Sequence, residues 1–149
     1  MVYTKIQRFL FEIYGFLVYV DTNVYMDLFA GRKDKFRDLG EFALNVFRKV
    51  REGHYCLVIS DWVVDEFKKF RDPKEIERLL EGLKTEHLVR ITTTSEDKKE
   101  ARRLSTNNFP DALHVVLARK ANCIYLVTRN IQDFAEFQNY IEIKIPEEL

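Results

Sequence analysis

The chain has 149 residues, of which 46% are hydrophobic and 32% are charged, so its composition is that of a folded domain and excludes a disordered chain. Its 24 Lys and Arg residues balance 24 Asp and Glu residues, which gives a formal net charge of zero. This balance excludes nucleic-acid binding through overall positive charge, and any such binding has to use a local basic patch.

Predicted strands and helices alternate along the chain. Residues 1–14 precede the first strand, and the sequence leaves open whether they form an added helix or a flexible arm. Runs of β-branched and aromatic residues predict five strands, over residues 16–20, 55–60, 88–92, 124–128 and 141–145. The first four are almost continuously apolar, as in strands buried on both faces of a parallel sheet. The fifth alternates apolar and charged residues, which indicates an edge strand.

The segments between these strands have the patterns of helices. Apolar residues recur at helical spacing over residues 39–50, 61–70 and 76–83, and a charged helix and a buried helix are predicted over 95–105 and 110–122. Strands that alternate with helices favour a parallel sheet with helices on both faces. We therefore expect one α/β domain over residues 1–149, a three-layer α/β/α fold with a mostly parallel central sheet of four to five strands.

The sequence predicts a cytoplasmic protein without a membrane segment. The apolar run over residues 9–20 is interrupted by Glu12 and followed by Asp21, so it is too short to span a bilayer, and it lacks a signal-peptide cleavage site. Cys56 and Cys123 form no CxxC pattern, which is typical of a reducing setting and excludes a zinc or redox motif of that kind.

Two acidic residues stand where strands meet helices. Asp21 ends the first predicted strand, where an acid is most often a turn or capping residue. Asp111 follows Pro110 in the first turn of the buried helix, where an acid also complements the helix dipole. Strand ends and helix starts of this kind share one edge of a parallel sheet, so we expect these acids to meet there.

Glu66 is a stronger candidate for a functional residue than Asp21 or Asp111 taken alone. At 100° per residue it shares the apolar face of its predicted helix with Trp62, Val63, Phe67 and Phe70. A carboxylate on that face needs a partner, because burying an unpaired charge is costly. A salt bridge to a core Arg or Lys is one explanation, and we favour the other, a functional site. Asp65 falls on the polar face and is expected in solvent.

Asp21, Glu66 and Asp111 are therefore the predicted catalytic residues. Carboxylates gathered at one edge form an oxygen-rich site that suits Mg²⁺ or Mn²⁺. Such an ion activates water and neutralises phosphate charge, so the predicted chemistry is metal-assisted phosphodiester hydrolysis. Asp133 is a further candidate ligand. The side chains expected to support the acids by hydrogen bonds are Asn23, Thr128 and Asn130.

Four segments together resemble the PIN-domain family, and within it the compact prokaryotic proteins that include VapC-type toxins. The segments are VYVDTNV at residues 18–24, ISDWVVDEF at 59–67, PDALHVVLA at 110–118 and LVTRNIQDF at 126–134. Their order and spacing both match, and the likeness runs from about residue 16 to the end of the chain.

The resemblance implies a parallel-sheet α/β/α fold and a Mg²⁺- or Mn²⁺-dependent ribonuclease that acts on single-stranded RNA. It also implies a homodimer and the toxin of a toxin–antitoxin pair, held inactive by an antitoxin protein. Asp21, Glu66 and Asp111 match the family's three most constant acids. Asn130 stands where many members carry a fourth Asp, which puts a second metal site in doubt, and Asp133 is a partial substitute.

The sequence positions of several other residues indicate roles for them. Arg129 and the polar loop after Asp21 are candidate RNA contacts; the loop contains Arg32, Lys33, Lys35 and Arg37. His114 follows Asp111 on the same side of the helix, and we interpret it as a buried, hydrogen-bonded histidine because no HExxH spacing supports a ligand. The aromatic residues before the first strand indicate core packing or a dimer interface.

Two other functions remain open. One is a PIN-like RNA- or protein-binding module without catalysis, which Asn130 favours and the three intact acids disfavour. The other is a phosphatase with Asp21 as nucleophile, as in haloacid-dehalogenase-like proteins, although these require a second Asp where Asn23 stands. The five glycines form no GxGxxG or GxxxxGK[ST] motif, so dinucleotide and P-loop nucleotide binding are excluded.

Overall fold

The structure, a computed structural model, describes residues 3–30 and 38–149. The strands are β1 (Phe16–Val20), β2 (Tyr55–Ser60), β3 (Leu88–Ile91), β4 (Tyr125–Val127) and β5 (Glu142–Lys144). The α-helices of these two ranges are α1 (Lys5–Tyr14), α2 (Thr22–Ala30), α3 (Leu39–Arg51), α4 (Asp61–Phe67), α5 (Lys74–Glu81), α6 (Ser95–Leu104) and α7 (Phe109–Lys120). Short 3-10 helices occupy Thr85–His87, Ile131–Phe137 and Pro146–Glu148. None of the described helices has the length and hydrophobicity that crossing a membrane requires.

The strands form one parallel sheet in the order β3-β2-β1-β4-β5. Helices flank this sheet, which confirms the predicted three-layer α/β/α fold. Tyr19 pairs with Val58 and Val20 pairs with Val127, so β1, β2 and β4 end side by side. Because parallel strands are joined by crossover helices, these ends and the starts of the following helices lie at the same edge.

Burial of the strands follows their place in the sheet. In the central strand β1, Val18, Tyr19 and Val20 are fully buried, as its apolar run predicts. The prediction that the strand near residue 88 is buried on both faces is wrong. β3 is an edge strand, and its Arg90 is exposed and pairs with Glu77 at 2.9 Å. An apolar run shows that a strand packs on a core, but it does not show how many neighbours the strand has. The edge position predicted for the last strand is confirmed.

Helix α4 ends earlier than predicted, and this changes the place of Phe70. The backbone N–H groups of Phe70 and Arg71 both donate to the carbonyl of Phe67, at 3.1 and 3.0 Å, so the chain turns there. Phe67 is fully buried, whereas Phe70 is 78% exposed. The prediction that Phe70 shares the apolar face of the helix is therefore wrong, because the 100° periodicity holds only for helical residues.

The segment before β1 is a helix rather than an arm. Thr4 and Gln7 form a capping box at the start of α1. The rings of Phe11 and Phe16 lie 4.2 Å apart between centroids, and this contact holds α1 against the start of β1. Its outward side is apolar and exposed at Ile6, Phe9 and Ile13.

Candidate active site

The edge at the C-terminal ends of the strands carries most of the predicted site residues. Asp21 directly follows β1 and Thr128 directly follows β4. The N–H of Asp21 donates to the carbonyl of Val127 at 2.8 Å, so the two strand ends are joined. Ser60 ends β2 and caps α4, the helix that carries Glu66, by accepting the N–H of Val63.

A cavity of about 410 Å³ opens at this edge. It brings together all four acids predicted for the site, which are distant in sequence. Its lining residues are Asp21, Thr22, Asn23, Met26, Glu66, Phe70, Asp111, Asn130 and Asp133. Asp65, by contrast, is exposed and pairs with Lys68 at 3.1 Å, as the helical periodicity predicts.

Asp21 is the most buried of these acids, with 5% exposure. Its Oδ2 accepts a hydrogen bond from the hydroxyl of Thr128 at 2.9 Å. The same hydroxyl oxygen accepts from the amide of Asn23 at 3.4 Å and from the N–H of Asn130 at 3.2 Å. Burial raises the pKa of Asp21, and the hydrogen bond from Thr128 and the charge of His114 oppose that rise. Thr128 therefore holds the Asp21 carboxylate in one orientation.

Glu66 is held by two groups at one oxygen. The hydroxyl of Thr22 donates to Oε1 at 2.6 Å, and Nε2 of His114 lies 2.6 Å from the same atom. Burial alone would raise the pKa of Glu66, but His114 first, and then Thr22 and Lys69, outweigh it and lower the pKa. Thr22 and His114 therefore orient the Glu66 carboxylate.

His114 links the acids to the core. It is 1% exposed, and its Nε2 also lies 3.4 Å from Oδ1 of Asp21. Its Nδ1 is hydrogen-bonded to the hydroxyl of Tyr19 at 2.7 Å, which in turn bonds the hydroxyl of Ser60 at 2.8 Å. Burial lowers the pKa of His114, but the hydrogen bond to Glu66 and the charge of Asp21 raise it by more. The ring is thus fixed at both nitrogens, as the prediction of a buried, hydrogen-bonded histidine states.

Asp111 faces this group from the first turn of α7. Burial, and then the negative charge of Asp21, raise its pKa to about 6. The charge of Asp21 thus disfavours ionisation of Asp111, and a bound cation would relieve this repulsion.

Two of the predicted acids, Asp21 and Glu66, have donor atoms close enough together to share a divalent cation. Among the described residues, Asp21, Glu66 and His114 each offer a ligand atom, and these atoms lie within 4.8 Å of one another. Carboxylate oxygens suit Mg²⁺ and Mn²⁺. Because both nitrogens of His114 already have hydrogen-bonding partners, this histidine suits the orientation of Glu66 better than direct ligation.

The remaining predicted residues differ in their surroundings. Asp133 is exposed, and its carbonyl accepts from the amide of Asn108 at 3.0 Å. Arg129 donates through Nε to the buried carboxylate of Asp27 at 2.7 Å and through a terminal nitrogen to Asn130 at 3.3 Å. The predicted RNA contacts in the loop after α2, Arg32 and Lys33 with Lys35 and Arg37, lie outside the described residues.

The sequence predicts Thr128 as a support of the acids, but it does not identify the hydroxyls of Thr22 and Tyr19. Thr22 directly follows Asp21, and only the fold shows that its hydroxyl serves Glu66. Tyr19 reads as a core residue of a buried strand, and its hydroxyl has no sequence signal. Phe70 was assigned to the core, although it lines the cavity.

The fold and the site place the chain among α/β proteins that bind ligands at the C-terminal edge of a parallel sheet. Residues 18–132 match the sequence model of the PIN domain, and the chain belongs to the PIN-domain family. PIN domains are in general nucleases, and they typically use divalent metals. Among curated proteins, none matches the sequence.

Solved structures share the fold. A chain of a toxin–antitoxin complex from Klebsiella pneumoniae has a TM-score of 0.57 and 20% sequence identity, with 87% of this chain and 97% of that chain covered. A chain of VapBC2 from Rickettsia felis, bound to a DNA fragment from the promoter, has a TM-score of 0.52 and 18% identity, with 87% and 98% covered. At this identity the likeness shows a common fold.

Proposed function

We propose that the chain is a metal-dependent endoribonuclease that hydrolyses phosphodiester bonds of single-stranded RNA and acts as one PIN-like domain. The observation that carries this proposal is the meeting of Asp21, Glu66 and Asp111 in one cavity at the strand ends. The family supports it, because PIN domains are in general nucleases. Partly buried carboxylates are costly to hold together, and a cation would offset that cost.

Mg²⁺ or Mn²⁺ is the proposed cofactor. The proposed ligands are the carboxylates of Asp21, Glu66, Asp111 and Asp133. Such an ion supplies positive charge against the phosphate and lowers the pKa of a bound water. The chain's own residues keep the acids in place, since Thr22 and His114 hold Glu66 and Thr128 holds Asp21. The backbone N–H of Asn130 and the side-chain amide of Asn23 donate to the hydroxyl oxygen of Thr128 and so help to hold this hydroxyl in place.

RNA and an antitoxin protein are the proposed partners. The antitoxin is supported by the two solved structures that share this fold, since both are toxin–antitoxin complexes. Arg32, Lys33 and Arg129 are the proposed RNA contacts, of which Arg32 and Lys33 lie outside the described residues. We also propose that the chain forms a homodimer and acts in the cytoplasm. The exposed apolar side of α1 offers a surface for contact between the subunits.

One observation favours a second function. Asn130 lines the cavity at the position where the resemblance leads us to expect a fourth acid. A neutral amide there lowers the negative charge available to metal ions. The alternative is therefore a PIN-like module that binds RNA or protein without cleaving it.

Cleavage assays with two matched variants test the proposal. Asp21→Asn removes the charge of the most buried acid of the site. Asp65→Asn is the control, because Asp65 is next to Glu66 in the sequence but is exposed and pairs with Lys68 at the surface. Labelled single-stranded and structured RNAs are incubated with Mn²⁺, Mg²⁺ or chelator. We expect metal-dependent cleavage by the wild type and by Asp65→Asn, and none by Asp21→Asn.

Metal binding is measured separately, as the rise in melting temperature with Mn²⁺. At free Mn²⁺ about 100 times its Kd, binding adds about 2.7 kcal/mol to the free energy of unfolding. For a chain of this size that corresponds to roughly 5–10 °C. A rise in the wild type and Asp65→Asn that is absent in Asp21→Asn supports the metal site, whatever RNA is cleaved. A wild type with neither cleavage nor a rise refutes the nuclease and leaves the binding module.

A further inference from the structure

Phe70 is an aromatic side chain at the rim of the carboxylate cavity, and the proposed hydrolysis does not use it. It lines the same cavity as Asp21, Glu66 and Asp111, yet it is 78% exposed. Single exposed apolar side chains are common on protein surfaces, so exposure alone indicates nothing. What distinguishes Phe70 is its place beside the carboxylates.

The backbone under Phe70 is firmly held. Its N–H donates to the carbonyl of Phe67, and the Phe67 side chain is fully buried with its ring against Phe29, 5.7 Å between centroids. The Phe70 ring is therefore presented to solvent from an anchored turn. The anchored backbone leaves only the side-chain torsions of Phe70 to be ordered when a ligand binds.

Two basic residues stand directly before Phe70 in the sequence. Lys68 and Lys69 precede Phe70 and are both exposed. Lys69 lies close enough to Glu66 for its charge to act on that carboxylate, and its Nζ is 5.9 Å from the ring centroid of Trp62. An apolar ring and a cation, Lys69, that both lie near Glu66 match the chemistry of a nucleotide, which joins a flat base to an anionic phosphate.

We propose that the Phe70 ring stacks on a base of the RNA strand next to the scissile phosphate and thereby positions that strand in the cavity. The proposal rests on the ribonuclease function proposed above. Stacking accepts every base, because each has a π-face, so Phe70 holds the strand without reading its sequence. A base inside a duplex already stacks on its neighbours, and Phe70 therefore favours single-stranded substrate.

Binding measurements on three variants test this role. Phe70→Leu keeps apolar bulk and removes the ring, Phe70→Trp keeps a ring, and Phe9→Leu removes a ring that is 60% exposed on α1, outside the cavity. The probes are a fluorescently labelled oligouridylate and the same sugar-phosphate strand without bases. Affinity is read as fluorescence anisotropy with Ca²⁺ in place of Mg²⁺, and electrophoresis confirms that the strand stays intact.

We expect Phe70→Leu to weaken oligouridylate binding by about 5- to 150-fold, the range of one aromatic–base stack. Phe70→Trp and Phe9→Leu should bind as the wild type does. The strand without bases should bind the wild type and Phe70→Leu equally, since it offers nothing to stack on. Melting temperatures close to that of the wild type show that the variants are folded, as expected for an exposed side chain.

Two results overturn the proposal. Equal affinity of the wild type and Phe70→Leu for oligouridylate shows that the Phe70 ring does not stack on a base. An equal loss of affinity for both strands shows that the substitution acts without base contact. If either result accompanies an intact Mn²⁺ response and metal-dependent cleavage, only the stacking fails. If the wild type shows neither the Mn²⁺ response nor strand binding, the ribonuclease proposal fails and stacking fails with it.

Discussion

Replacing Tyr19 by Phe isolates the buried hydrogen-bond chain behind the carboxylates. The Tyr19 hydroxyl lies 2.7 Å from Nδ1 of His114 and 2.8 Å from Oγ of Ser60, and His114 contacts Glu66 on its other side. The substitution removes one oxygen and keeps the ring of a fully buried side chain. Its effects therefore report hydrogen bonding and not packing.

The expected loss follows from the atoms left behind. Depriving a buried polar atom of its partner costs about 1–3 kcal/mol. Oγ of Ser60 still accepts a hydrogen bond from the N–H of Val63 at 3.2 Å, so it adds little to the loss of stability. Nδ1 of His114, by contrast, loses its hydrogen bond to the Tyr19 hydroxyl. We expect the free energy of unfolding to fall by roughly 1–3 kcal/mol, which lowers the melting temperature by about 2–12 °C. His114 then orients Glu66 less firmly, and affinity for Mn²⁺ should fall about 10-fold.

Tyr25 provides the matched control. It is also fully buried, but within residues 3–30 and 38–149 its hydroxyl has no hydrogen-bond partner. Tyr25→Phe should therefore leave stability unchanged or raise it slightly, and it should leave the Mn²⁺ response intact. Both variants are melted without metal and over a series of Mn²⁺ concentrations. Equal melting temperatures for the two variants, or a wild-type Mn²⁺ response in Tyr19→Phe, would refute the role of this chain in positioning Glu66.

Two further predictions concern acids near the site. Burial and the charge of Asp21 raise the pKa of Asp111 from 3.8 to about 6. Between these two pH values the folded chain holds a proton that the unfolded chain has released. The free energy of unfolding therefore falls as pH rises from 3.8 to about 6. Without metal, Asp111→Asn should therefore melt above the wild type at pH values higher than about 6, and an advantage that is the same across the whole pH range would contradict this. Arg129 pairs with the buried Asp27 at 2.7 Å, so Arg129→Gln should cost about 3 kcal/mol, part of which the added Asp27→Asn should restore. A variant as stable as the wild type would contradict the structural role of this pair, and RNA affinity measured on the same variant tests the proposed RNA contact.

Much of the architecture could be predicted because its signals are local. An apolar run followed by an acid placed Asp21 at the end of a buried strand, and the spacing of Glu66 from Phe67 and Val63 placed it on the inner side of α4. Asp65, one residue away, was assigned to solvent by the same periodicity. Strands that alternate with helices limit the chain to a parallel sheet, whose strand ends must share an edge.

Periodicity failed where a residue lies beyond the element that sets the period. Phe70 follows the end of α4, so its direction is decided by the turn after Phe67 and not by the helix. The apolar residues of β3 carry no sign that the strand has a neighbour on one side only, because strand order depends on how the crossovers are arranged in space.

The local sequence pattern therefore determines the order of strands and helices and the acids at their junctions. It does so because burial and backbone geometry impose their periods on neighbouring residues. Which side chain each hydroxyl meets is decided only by the tertiary structure. Thr22 reaches Glu66 across 44 positions, Tyr19 reaches His114 across 95, and Thr128 reaches Asp21 across 107. A hydroxyl group looks the same in the sequence whether it faces a carboxylate or the core, and only the packing of the sheet and helices determines which one it meets.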